Sequence, residues 1–125
     1  MCYNRGMSNL RTWLEHEYPQ AAIRPDIHAQ AKEFLKLRLP NAIVYDFPTA
    51  IIIVLQIDVN KFQGYLLFDK FSKATVSAMK SVAELYKNYT LIATTEDSRV
   101  KTILLRIGFT CTGKVNGEFT LAKGV

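Results

Sequence analysis

Apolar residues recur in this chain at steps of three and four in some stretches and by alternation or unbroken runs in others, and the switches mark out its elements. In "SNLRTWLEHEY" the positions of Leu10, Trp13 and Leu14 predict a first helix, with Ser8 as its cap and Pro19 as its stop. "AAIRP", residues 21–25, is short and apolar and ends at a proline, which reads as a strand. Asp26 can then cap "IHAQAKEFLKLR", where Ile27, Ala31, Phe34 and Leu35 form one stripe of a second helix. Pro40 and Asn41 end it. "AIVYDF" and "PTAIIIVLQID" are β-rich runs hinged near Asp46, Phe47 and Pro48, and "FQGYLLFDKF" follows a turn at Asp58, Asn60 and Lys61. Together they predict an antiparallel meander. Ile51–Val54 is apolar at both parities, the mark of a strand covered on both faces.

Ser72 opens the longest helical pattern, "SKATVSAMKSVAELYKN", with Val76, Met79, Ala83 and Tyr86 inward and Lys73, Lys80, Glu84 and Lys87 outward. "YTLIATT" reads as a strand and "EDSRVKTILLRIGF" as a short helix whose stripe is Val100, Ile103, Leu104 and Ile107. Gly108 supplies the left-handed residue that ends that helix. Asn116-Gly117 lies between apolar runs and predicts a closing hairpin. The order of elements predicts an α/β fold (α+β mixed sheet), mostly antiparallel, with helices on its faces. The strand, helix, strand unit over residues 66–95 should form a right-handed parallel crossover.

Composition narrows the reading without redirecting it. A chain of 125 residues, 49% apolar and 22% charged, suits one folded domain. The net charge of +5 would suit an anionic partner. Lys32, Lys36 and Arg38 cluster, but most other lysines are spread singly among acids, so a nucleic-acid surface is not expected. Ala50–Ile57 is the longest apolar run and falls far short of the roughly 20 residues of a spanning helix, so no membrane span is expected. No signal peptide precedes Cys2, and a reducing compartment fits both Cys2 and Cys111. Met7 could equally be the start, with Met1 to Gly6 a leader. His16, His28 and the two cysteines match no zinc spacing, and no Ser-His-Asp or Cys-His motif is present.

From about Ile23 onward the chain resembles the GNAT superfamily of acyl-CoA N-acyltransferases. Ile23, Arg24 and Pro25 are similar to the end of that family's first strand, and "LLRIGFTCTGKVNGEFTL" to its closing helix, Gly-Phe and hairpin. "YDFPTA" and "SRVKTILLRIG" resemble a divergent phage branch of the fold, which includes the internal virion protein A of short-tailed phages. The likeness implies one GNAT-like domain over residues 1–125, of which 1–20 are an N-terminal extension with one helix. It implies a location in the host-cell cytoplasm or in the virion, and a virion or host protein as partner.

The resemblance also says what chemistry to look for. The fold implies a splayed cleft between two parallel strands, amides for a pyrophosphate, a base for the amine and an acid for the departing thiolate. The family's phosphate loop is glycine-rich and opens the long helix, where free N–H groups and the helix dipole favour anions. Here that place reads "FDKFSKATVS", without glycine, leaving Lys70, Lys73 and the amides after Ser72. Phe68, Lys70, Ser72, Lys73, Ser98 and Arg99 are the candidate acetyl-CoA contacts, and Asp69 is the candidate base. The usual thiolate acid is a tyrosine four residues before the glycine; that position is Leu104. Tyr86 and Tyr89 read as packing against the sheet edge with wet hydroxyls, Asp58 as a turn residue, and Glu118 as a further carboxylate. Arg99 and Lys101 either pair with Glu96 and Asp97 or, with Ser98, face phosphates or an acidic partner.

Three functions follow. The first is a GNAT-fold protein with reduced or lost catalysis that binds a virion or host protein. The second is an active acyl-CoA-dependent N-acyltransferase of divergent mechanism, with Asp69 assisting the amine. The third is an assembly factor acting through its sheet edges or through the first helix, with Trp13, Leu10 and Leu14 as an anchor unless those residues cover the chain's own sheet.

Overall fold

In the computed structural model, which describes residues 8–20, 22, 24–48, 50–68 and 70–124, the run from Ala50 to Val54 becomes an inner strand of the sheet, next to one edge. With elements numbered in chain order, β2 (Ile43–Phe47), β3 (Ala50–Asp58) and β4 (Lys61–Phe68) form the expected antiparallel meander. Their alternation serves two cores. Ile51, Ile53, Tyr65 and Leu67 face α1 (Leu10–Glu17) and α2 (Ile27–Arg38), packing on Leu10, Trp13, Leu14, Ala31 and Leu35. Ala50, Ile52, Val54, Leu66 and Phe68 face α3 (Lys73–Leu85) and α4 (Ser98–Ile107). Each such large side chain, fully buried, contributes roughly 1.5–3 kcal/mol relative to exposure.

The crossover β4–α3–β5 (Thr90–Thr95) is parallel, registering Lys61 on Thr90 and Gly64 on Ala93. The closing hairpin enters last strand first: β7 (Glu118–Lys123) pairs with β5, and β6 (Thr110–Val115) lies outside it. The sheet order is therefore β2-β3-β4-β5-β7-β6, with β1 (Ser8–Asn9) joined to β4. α4 ends as its sequence predicts. Gly108 takes φ 117°, and the N–H groups of Gly108 and Phe109 both donate to the Leu104 carbonyl.

Two expectations are corrected. Ser8, expected as the cap of α1, lies one residue further out in β1, its backbone paired in parallel with Leu67. The stretch 21–25 makes no strand among its described members Ala22, Arg24 and Pro25, while Ala21 and Ile23 lie outside the described residues. Gln30, 2% exposed, explains the substitution. Its side-chain amide accepts from the Arg24 N–H at 2.9 Å and donates to the Ala22 carbonyl at 2.8 Å, the two bonds a neighbouring strand would have made. Asp26 is likewise turned from capping to pairing with the Arg24 guanidinium.

Trp13 is 3% exposed, so the first helix covers its own sheet. Behind it Tyr18 stacks on Phe34, and Arg38 reaches both the Tyr18 ring and the buried Glu17 carboxylate. None of the described helices is long and apolar enough to cross a membrane.

Candidate functional site

The site is built where two parallel strands part. β4 pairs with β5 only from Lys61 to Gly64, and beyond that point the strands separate. On its other edge β4 stays on β3 through Leu67 and Phe68. The pairing of Ser8 with Leu67 and Asn9 with Phe68 must therefore lie on the inner edge, the one β5 has left. The pairing thus ends where the resemblance implies a split, and β1 lines that edge. Beneath the split, between the strands and helices α3 and α4, lies a small apolar cavity of about 40 Å³. Gly64, Leu66, Ala93, Val100, Leu104 and Phe109 are among its walls.

Leu104 is 6% exposed and belongs to this core. A side chain without a proton to give thus occupies the acid position. Tyr86 offers no replacement. Its hydroxyl is 2.8 Å from that of Tyr45, correcting the expectation of a wet one, and burial first, then that hydrogen bond, pushes its pKa up.

The loop before α3 is folded on itself. The Thr75 hydroxyl, fully buried, donates to the Lys70 carbonyl at 3.0 Å and accepts from the Ser72 N–H at 3.2 Å. Phe68 and Phe71 meet edge to face at 5.6 Å, and Phe68 is 4% exposed. Arg99 lies over the Phe71 ring, 4.9 Å from its centroid, while its guanidinium pairs with Asp97 at 2.8 Å. That hydrogen bond chiefly holds the Asp97 carboxyl below the usual carboxylate range. The Asp97 side chain also caps α4 by accepting from the Arg99 N–H at 2.8 Å.

The structure thus gathers Phe68, Ser72, Lys73 and Arg99 around Phe71. Lys70 is exposed and contributes its carbonyl to Thr75. Ser98 is exposed at the start of α4, its carbonyl accepting from the Thr102 hydroxyl at 2.8 Å. Asp69 lies outside the described residues. Lys101 stacks on Phe119 at 4.0 Å. On the α1/α2 face, His28 and Lys32 both hold Asp46, each at 2.5 Å.

Sequence reasoning missed one part of the site. An open groove of about 490 Å³ runs between α3 and α4 over Phe71, Val76 and Ile103, bordered by Lys73, Lys80 and Arg106. No carboxylate is among its described lining residues, so it favours an anion. The signal was present: Lys73, Ser77 and Lys80 fall at i, i+4 and i+7 and so share one helix face. Among the described residues, no group of three or more His, Cys, Asp and Glu side chains gathers as a metal site would require.

No protein-family model matches the sequence, and neither does any curated protein. Solved structures do match in fold. A chimera of the Vibrio cholerae spermidine N-acetyltransferase SpeG and hSSAT superposes with a TM-score of 0.55 at 8% identity, covering 90% of this chain and 89% of that one. The microcin self-immunity acetyltransferase MccE, solved with acetyl-CoA and AMP, gives 0.56 at 14% identity over 93% and 83%. A GNAT-family acetyltransferase from Bacillus anthracis gives 0.55 at 12% identity over 97% and 85%. The chain has the GNAT acyl-CoA N-acyltransferase fold.

Proposed function

We propose that this chain uses an acetyltransferase fold for binding a protein partner, with acyl transfer reduced or lost. The observation that carries the reading is β1. By lying on Leu67 and Phe68 it takes the edge of β4 against which an acyl-CoA arm would have to run. The residues present do not fit the cofactor in this arrangement. The phosphate loop has no glycine and is tied down by Thr75, and the acid position is the buried Leu104. The sequence likeness to phage internal virion proteins is the reason to look for the partner in a virion or its host.

The test is acetyl-CoA titration of the full chain, followed by thiol release in the presence of polyamine, amino-acid and peptide amines. Thiol release at the background rate is expected, both for the native chain and for Leu104→Tyr. Turnover above background with any amine overturns the non-catalytic reading.

The rival, an active acyltransferase, draws on the parted strands and the cationic groove between α3 and α4. Direct attack by an amine needs mainly positioning and a polarised carbonyl. In that case Asp69→Asn abolishes turnover while leaving the unfolding midpoint unchanged.

A further inference from the structure

The groove between α3 and α4 draws its lining from one face of each helix. Lys73, Val76, Ser77 and Lys80 stand at i, i+3, i+4 and i+7 on α3, and Ile103 and Arg106 stand three apart on α4. Phe71, Val76 and Ile103 are half-buried, so they form an apolar floor that the chain's own core leaves partly uncovered. Lys73, Lys80 and Arg106 border that floor and are exposed. Among the described residues none of these three cations makes an ion pair. The acids borne by the two helices are engaged elsewhere. Glu84, the one acid of α3, holds Lys87 at 3.2 Å, and Asp97, the cap of α4, holds Arg99 at 2.8 Å.

We propose that this groove docks an acidic amphipathic helix of a protein partner. The proposal rests on the protein-binding reading given above and supplies the partner's chemistry. The α3 face sets the pattern of the guest: a cation, a middle made of Val76 and the small Ser77, and a second cation two turns on, about 10 Å along the axis. A helix laid alongside answers it with carboxylates two turns apart and leucine-like side chains between them on the same face. The apolar side chains cover Phe71, Val76 and Ile103, while the carboxylates meet Lys73 and Lys80 from α3 and Arg106 from α4. A nucleic acid fits less well. Phe71, the one aromatic residue of the lining, is already engaged by Arg99 and by Phe68, which makes it a poor stacking platform for bases.

The probe is a synthetic alanine-based helix with glutamates two turns apart and leucines between them on the same face. Its binding to the full chain is read by fluorescence anisotropy, and the residues it touches by amide chemical shifts. Saturable binding is expected, with the largest shifts at Phe71 to Lys80 and Ile103 to Arg106. Lys80→Glu/Arg106→Glu changes two exposed residues, neither of them a candidate acetyl-CoA contact. With native circular dichroism, that variant should bind the probe at least about tenfold more weakly. A peptide with lysines in place of the glutamates should restore binding to it, which a damaged fold would not allow. If the charge-reversed chain does not fold, Lys80→Gln/Arg106→Gln takes its place and should weaken the probe at least about threefold.

No saturable binding, shifts confined to other residues, or unchanged binding by the variants overturns the proposal. Equal binding by a peptide whose leucines are moved to the opposite face also overturns it, because charge alone would then suffice. Tighter binding at the same residues by a single-stranded oligonucleotide or by CoA overturns it in favour of that ligand. Failure of the peptide with thiol release still at background leaves the non-catalytic reading standing. Thiol release above background overturns that reading whatever the peptide does.

Discussion

The two faces of this sheet are covered by helix pairs of similar length, and they are finished differently. On the α1/α2 face, Leu10, Leu14, Ala31, Leu35, Ile51 and Leu67 have no exposed surface, and ion pairs bind the helices to the sheet and to each other. On the α3/α4 face a cavity of about 40 Å³ persists beneath the parted strands. The same strands supply both cores, since β3 and β4 send alternate side chains to each side. The difference therefore lies in the helices and in where β4 and β5 stop pairing. A sealed face secures the fold, and the looser one is where this architecture has room for a ligand.

Truncating the sealed face should have the largest effect. Leu14→Ala is expected to destabilise by about 3 kcal/mol, read from urea unfolding, because the packed site cannot collapse around the loss. A smaller value would mean that α1 is less firmly docked than its burial implies. Adding two methyl groups to each face sharpens the contrast. Ala31→Val should cost about 2 kcal/mol through overpacking, whereas Ala93→Val grows into the void and should gain about 0.5 kcal/mol. Like signs from the two would erase the distinction.

Next comes the cap of α4 on the looser face. Asp97→Ala should cost about 1 kcal/mol, and Asp97→Asn, which keeps an accepting oxygen, distinctly less.

The smallest effect is electrostatic and concerns the sealed face. The hydrogen bonds from Lys32, then His28, hold the Asp46 carboxyl below its ordinary value of 3.8. A carboxyl with a lowered folded pKa contributes stability above the unfolded value, and that contribution is lost as pH falls through the folded one. The native chain should therefore lose stability below about pH 4, and Asp46→Asn should flatten part of that acid limb. Because the pair is partly exposed, the change at neutral pH should stay under about 1 kcal/mol.

The elements were legible from sequence wherever one periodicity ruled. Val76, Met79, Ala83 and Tyr86 spelled α3, the doubly apolar Ile51–Val54 spelled a strand between two cores, and Gly108 spelled the end of α4. What escaped were contacts between distant segments. Gln30 reads as a surface residue of a helix, and nothing local shows that it serves the backbone of Ala22 and Arg24. Ser8 reads locally as a cap, and its pairing with Leu67 depends on an edge that is free only because β5 leaves β4 after Gly64. At the candidate site the residue types were legible, but their engagement was not. The pairing of Arg99 with Asp97, two residues away, was one of the sequence's alternatives, whereas its stacking on Phe71 depends on two distant segments meeting.

The composition of the two cores also sets a timetable. Every buried residue of the α1/α2 core lies at or before Leu67, whereas the other core is incomplete until Leu121. A nascent chain can therefore finish one side of the sheet, β1 included, while β5 is still unmade. β1 then has no competitor for Leu67 and Phe68 when it first pairs, and β5 arrives to take the half of β4 that remains. In chains stalled on the ribosome with Tyr89 as the last emerged residue, Leu67 and Phe68 should already resist amide exchange while Lys61 to Gly64 stay open on their inner edge.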